Sequence, residues 1–222
     1  ESIQQIEENQ PKPESTIEAD QEDPLDICET LDSFEPISLL ENSINSSSES
    51  DKLFEKYKKL NEINKEEALQ NLKTLVEKDN THAMTRYGYM LLKGEDVEIN
   101  KEEAVGYFKI AAEKGDPDGM FNYACCLYKG EGIAKNKNEA IRYYKILAID
   151  RDYLRAMNIY GIFLYLGNGV PIDTQKAAQF FKTAAQRGHP DAMFNYACCL
   201  YNGKGVQMNR KESFRYHKMA AE

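Results

Sequence analysis

The chain runs to 222 residues, with 37 acidic against 28 basic side chains, a net charge of −9 and five cysteines. No apolar run reaches the ~18 residues of a membrane-spanning helix, and the acidic balance argues against non-specific binding to nucleic acid. The charge is uneven: residues 1–50 hold 14 acidic residues and one lysine, net −13, whereas the rest holds 23 acidic and 27 basic residues, net +4.

Residues 1–50 are rich in Ser, Asn, Gln and Pro. So few apolar side chains cannot offset the entropy of ordering, and the segment is predicted to be a disordered acidic tail. A denser patch lies within it: Leu25, Ile27, Leu31, Phe34, Ile37, Leu39 and Leu40. Either the patch is a solvated linker with scattered hydrophobes, or it is a short linear motif that docks on a partner or on the chain's own groove. Asp51 to Asn61 is a charged amphipathic stretch, and Lys65 to Lys78 lies one period before Lys101-Glu-Glu-Ala104 and reads as its partner helix. Residues 51–80 are therefore expected to form a degenerate, polar-faced capping repeat of the kind a repeat stack needs at its end.

From residue 81 a block of about 36 residues recurs, and Pro117–Tyr128 is nearly identical to Pro190–Tyr201. A fixed period of this length means stacked supersecondary units instead of one closed core. Met84, Met120, Met157 and Met193 correspond, as do Tyr87, Tyr123, Tyr160 and Tyr196, and the small residues Gly88, Ala124, Gly161 and Ala197. Each run ends at a glycine (Gly94, Gly130, Gly167, Gly203), which can take the left-handed conformation that stops a helix. A second half opens at Asn100, Asn136, Asp173 and Asn209, residues suited to capping a helix start. Aromatic or near-aromatic pairs follow (Tyr107-Phe108, Tyr143-Tyr144, Phe180-Phe181, Tyr216-His217), then small pairs ending at Ala112, Ala148, Ala185 and Ala221. Spacings of three and four dominate both halves, which predicts two amphipathic helices per unit. The small residues of the first helix open a groove for the ring pair of the second. One irregularity falls near Arg151, where an extra residue enters and the usual glycine is missing.

This pattern resembles the Sel-one-like repeat family, relatives of the tetratricopeptide repeat. Tyr160-Gly161, Leu164, Gly167-Asn-Gly-Val170, Lys176-Ala177, Phe180-Phe181, Ala184-Ala185 and Gly188 carry it best. The resemblance implies an all-α fold, a right-handed α/α superhelical solenoid of about four to five helix-hairpin repeats, with units at 81–115, 116–151, 152–188 and a truncated 189–222. The tryptophan often found at the first aromatic position is replaced by Tyr107, Tyr143, Phe180 and Tyr216. The chain begins at Glu1 and stops inside a repeat, and is read as a piece of a longer protein.

Secreted cysteine-rich members of the family bridge one second helix to the next first helix. The corresponding pairs here are Ala112 and Met120, Ala148 and Met157, and Ala185 and Met193. The missing disulfide framework favours a reducing compartment, so a cytoplasmic location is expected. Cys125-Cys126 and Cys198-Cys199 match no zinc spacing and read as small hydrophobes. His82, His189 and His217 are far apart, and Gly-x-Gly-Val lacks the strand and lysine of a phosphate loop. No catalytic residues, cofactor or metal are expected, and the chain is read as a non-enzyme.

On the face of each first helix opposite the core runs a stripe at spacing three, four, three. It includes Thr85, Tyr89; Phe121, Cys125, Tyr128; Arg155, Asn158, Ile162, Tyr165; and Phe194, Cys198, Tyr201. Two readings stand: the residues pack on neighbouring units, or they line a concave groove. The preferred reading is a scaffold or adaptor whose groove holds a peptide, with Phe121 and Phe194 as anchors and Arg155 and Asn158 as polar contacts. The partners are then other proteins or peptides, with no nucleic acid and no membrane, and residues 1–50 are a candidate for self-docking. The resemblance also allows an alternative, a regulatory repeat region of a larger protein fused to a protein kinase domain.

Overall fold

A computed structural model describes residues 49–61 and 64–221. The disorder expected of the acidic tail, and the motif placed in it, lie outside those residues. Among them are ten helices: α1 (Glu49–Asn61), α2 (Lys65–Glu77), α3 (Thr81–Lys93), α4 (Lys101–Glu113), α5 (Pro117–Lys129), α6 (Lys137–Asp150), α7 (Leu154–Leu166), α8 (Thr174–Gln186), α9 (Pro190–Asn202) and α10 (Arg210–Ala221). Each helix packs on the next in sequence, and α3 also touches α5 and α1. The result is a helical repeat solenoid of five hairpins.

Local chemistry fixes the helix ends. Asn100 Oδ1 accepts the Glu103 amide at 3.1 Å while its Nδ2 donates to Glu103 Oε2 at 2.9 Å. The same reciprocal box recurs at Asn136 with Glu139 and at Asn209 with Glu212, satisfying amides that a helix start leaves orphaned. Pro117 and Pro190 occupy the first turns of α5 and α9, where a missing amide costs nothing. The first helices stop at Gly94, Gly130, Gly167 and Gly203, all left-handed.

Between hairpins the chain also needs one left-handed residue. Gly115 (φ 85°) and Gly188 (φ 92°) supply it at two turns, and Asp79 (φ 68°) and Asp152 (φ 54°) at the other two. The glycine missing near Arg151 is thus replaced by an aspartate, a residue type that tolerates this region. The extra residue is absorbed in α6, which has 14 residues where α5 and α7 have 13.

Within each hairpin the ring pair divides its work. The first ring meets the first-helix tyrosine edge-on: Tyr87–Tyr107 at 5.4 Å, Tyr123–Tyr143 at 5.4 Å, Tyr160–Phe180 at 5.6 Å and Tyr196–Tyr216 at 5.0 Å. Where the small residue is a glycine, at Gly88 and Gly161, the second ring, Phe108 or Phe181, lies over it. A Cβ added at Gly161 would sit 2.7 Å from Phe181 Cε1, closer than packed carbons approach. These contacts build one continuous core from Leu91 to Tyr216, and a second cluster of Phe54, Tyr57, Ala68, Leu72, Leu75, Ala83 and Met90 under α1 and α2. Tyr87 and Val97 touch both clusters.

Candidate partner-binding face

The stripe of the first helices divides sharply by exposure. Thr85, Phe121, Cys125, Tyr128, Asn158, Ile162, Tyr165 and Cys198 are buried. Phe121, only 2% exposed, packs on the rings of Tyr144 and Tyr153 at 5.8 and 5.6 Å. Its partner Tyr153 belongs to the next hairpin, so this side chain joins repeats. Tyr128 lies edge-on to Phe163 of the following first helix, and Asn195 Nδ2 of α9 donates to Asn158 Oδ1 of α7 at 2.8 Å. Thr85 donates to Asp116 Oδ1, which also accepts the Gly119 amide. Cys125 Sγ takes the Tyr144 hydroxyl at 3.3 Å, and Cys198 Sγ lies 3.9 Å from His217 Nε2.

Tyr89 and Phe194 are half-buried, while Arg155 and Tyr201 are exposed, Tyr201 at 51%. Phe194 leans edge-on against His217 at 5.2 Å, and the Arg210 guanidinium covers one face of Tyr201. Of the residues expected to anchor a peptide, Phe121 and Asn158 are therefore spent on packing between repeats. Truncating Phe121 would open a cavity in that packing. The accessible part of the stripe is Tyr89, Arg155, Phe194 and Tyr201.

Periodicity in the first helices gave no view of a cleft that the turns create. Asp118, Arg151, Asp152, Tyr153, Leu154, Arg155, Arg187 and His189 surround an open cavity of about 600 Å³. Tyr153 donates its hydroxyl to Asp118 Oδ1 at 2.5 Å, and Arg187 Nη1 reaches Asp152 Oδ2 at 2.5 Å. Burial pushes the Asp118 carboxyl above its ordinary range, against the hydrogen bond from Tyr153, which lowers it. Burial likewise pushes the His189 imidazole below its ordinary value, and its Nδ1 accepts the Ala192 amide as a helix cap. The signal for this cleft was present in the sequence, in the basic residue that ends each second helix: Lys78, Lys114, Arg151 and Arg187. A second feature also escaped periodicity: Ile99, Ile172 and Met208 occupy equivalent loop positions and are exposed.

Among the described residues no three His, Cys, Asp or Glu side chains converge as a metal site would require, and no helix is long and apolar enough to cross a membrane. Burial drives the Cys199 thiol up to about 12 and Cys126 higher still, so both remain protonated near neutral pH, where a thiol is a poor nucleophile.

A Sel1 repeat model matches residues 81–116, 117–149, 154–189 and 190–222, more than half of the chain. No curated protein sequence matches it. Among solved structures, a Sel1 repeat protein from Oxalobacter formigenes is 28% identical with a TM-score of 0.62, over 78% of this chain and 68% of that one. A protective antigen of uropathogenic Escherichia coli with an SLR fold is 24% identical with a TM-score of 0.65, over 69% of this chain. The chain spans about a third of that antigen's length, 32%. An immunity protein from Pseudomonas aeruginosa shares the fold at 14% identity, with a TM-score of 0.55 over 84% of this chain and 70% of its own. Four consecutive matches to the repeat, on a stack of hairpins with the same edge-on tyrosine-to-ring contact in each of the four units, place this chain in the Sel1 repeat family.

Proposed function

We propose that this protein is a scaffold that recruits another polypeptide to the face formed by its first helices. Sel1 repeat proteins generally act as protein-interaction scaffolds, and a stack of hairpins offers an extended surface that a single compact core lacks. The observation that carries the reading is the division of the stripe. Most of it is locked between repeats, while Tyr89 on α3, Arg155 on α7, and Phe194 and Tyr201 on α9 stay accessible. Aromatic rings have few rotatable bonds and lose little conformational entropy when a partner covers them, and aromatic and arginine side chains dominate binding energy at interfaces.

Site-specific photo-crosslinking tests it. A benzophenone amino acid at Tyr89 or Tyr201 of the full chain should trap the same polypeptide partner in cells, whereas one at Lys145, on the exposed side of α6, should not. Equal trapping from Lys145, or none from Tyr89 and Tyr201, would place the partner elsewhere. Helicity by circular dichroism should be unchanged in each variant, because none of the three positions is buried.

A further inference from the structure

The basic residue that ends each second helix has a fixed task in two of the three turns that can be compared. Lys114 forms an ion pair with Asp79 of the preceding turn, and Arg187 forms one with Asp152 of the preceding turn. Arg151 is their repeat equivalent, but the preceding turn offers Gly115 in place of an aspartate. The register is intact: a Cβ built on Gly115 would lie 3.2 Å from Arg151 Nη2. The guanidinium therefore sits where its siblings sit and finds no carboxylate. Arg155, the second residue of α7, acts on Asp118 only through its charge and makes no ion pair or hydrogen bond among the described residues, and both arginines line the same cleft. The two acids of that cleft are already engaged, Asp152 with Arg187 and Asp118 with the Tyr153 hydroxyl.

We infer that the Arg151–Arg155 cleft is a carboxylate site whose occupant is the chain's own acidic segment around residues 22–35. That segment carries Glu22, Asp23, Asp26, Glu29, Asp32 and Glu35 among Leu25, Ile27, Leu31 and Phe34, so it brings acids to the arginines and apolar side chains to Leu154 and Tyr153. Its reach fits. The cleft lies roughly 30 Å along the stack from α1 at about 10 Å per packed layer, and the length of chain between Asp26 and Glu49 is enough to bridge roughly that distance. Planar, bidentate pairing favours arginine for this purpose. Docking there would place the tail beside Arg155 of the accessible stripe and make it a competitor for that end of the face. The inference does not depend on the partner-binding reading.

The full chain supplies the test. A nitroxide on Cys28, with Cys125, Cys126, Cys198 and Cys199 buried, should selectively broaden the amide resonances of residues 151–155 and 187–189, and added salt should restore them. Gly115→Asp supplies the missing carboxylate in the geometry that Asp79 and Asp152 already adopt, so it should abolish the broadening. Gly115→Ala puts the same strain on the turn without the charge and should preserve it. Broadening that is absent, evenly spread or unchanged by Gly115→Asp would overturn the inference, as would its loss in Gly115→Ala. Broadening of an isotope-labelled chain by a separate nitroxide-bearing chain would show docking between copies and overturn it equally.

Discussion

Asp118 is a carboxyl group held largely out of water at the start of α5. Its folded pKa is raised, first by burial and then by Asp116, while Tyr153, His82 and Arg155 pull it down. A carboxyl group with a raised folded pKa binds its proton more tightly in the native state than in the unfolded chain. Its contribution to stability is complete below the ordinary value of 3.8 and is lost as pH rises through the higher folded value. Asp118→Asn removes the titration and keeps an oxygen that accepts the Tyr153 hydroxyl. The variant should therefore lose less stability than the parent as pH climbs from 4 toward neutrality, and gain on it at pH 7. Thermal unfolding midpoints across that range check this, and parallel curves for the two proteins would contradict it. Burial of this kind is hard to foresee from spacing alone. The spacing marked Phe121 and Asn158 as lying opposite the hairpin core, but Phe121 packs on Tyr144 of its own hairpin, and the next hairpin covers both residues through Tyr153 and Asn195. A helical wheel reports which way a side chain points, and the neighbouring repeat decides whether water reaches it.

At the scale of the helix the sequence was more explicit, because caps and stops are local. Asn136 and Glu139 bond reciprocally at the start of α6, as Asn100 and Glu103 do for α4. Asn136→Ala should cost about 1 kcal/mol, within the usual range for losing such a cap, and Asn136→Asp should recover most of it. Urea unfolding of the three proteins measures the difference; an Ala variant as stable as the parent would mean the adjoining loop supplies the cap. The turn at Arg151 was legible only as an anomaly. Its missing glycine is replaced by Asp152, whose left-handed backbone is tied down by Arg187 from the next repeat. That contact spans 35 residues, so no local rule exposes it. The same holds for the cleft, whose walls come from the ends of two second helices and the starts of three first helices.

Across the whole molecule, period and pairing imply that stability is shared between neighbours and not pooled in one core. The two clusters make this testable, because the apolar packing of the α1–α2 cluster meets the rest through α3 and its loop, at residues such as Met90, Tyr87 and Val97. Phe54 is fully buried in the first cluster. Phe163 is fully buried in the second and joins hairpins, stacking on Tyr144 at 6.0 Å and meeting Tyr128 edge-on at 5.6 Å. Each Phe→Ala change removes about 3–5 kcal/mol of packing, yet the consequences should differ in extent. Phe54→Ala should raise amide hydrogen exchange in α1, α2 and the adjacent face of α3, and leave α8 and α9 at parental protection. If residues 51–80 cap the stack, that variant should also expose the apolar side chains of α3 and bind a hydrophobic dye. Phe163→Ala should instead loosen α5 through α8 and split a single unfolding transition into two, since it weakens the joint between the second and third Sel1 repeats. A uniform loss of protection along the chain in both variants would mean that the hairpins share one cooperative core. The extended face proposed for partner recruitment would then have to work as a single rigid body, with no hairpin able to adjust alone.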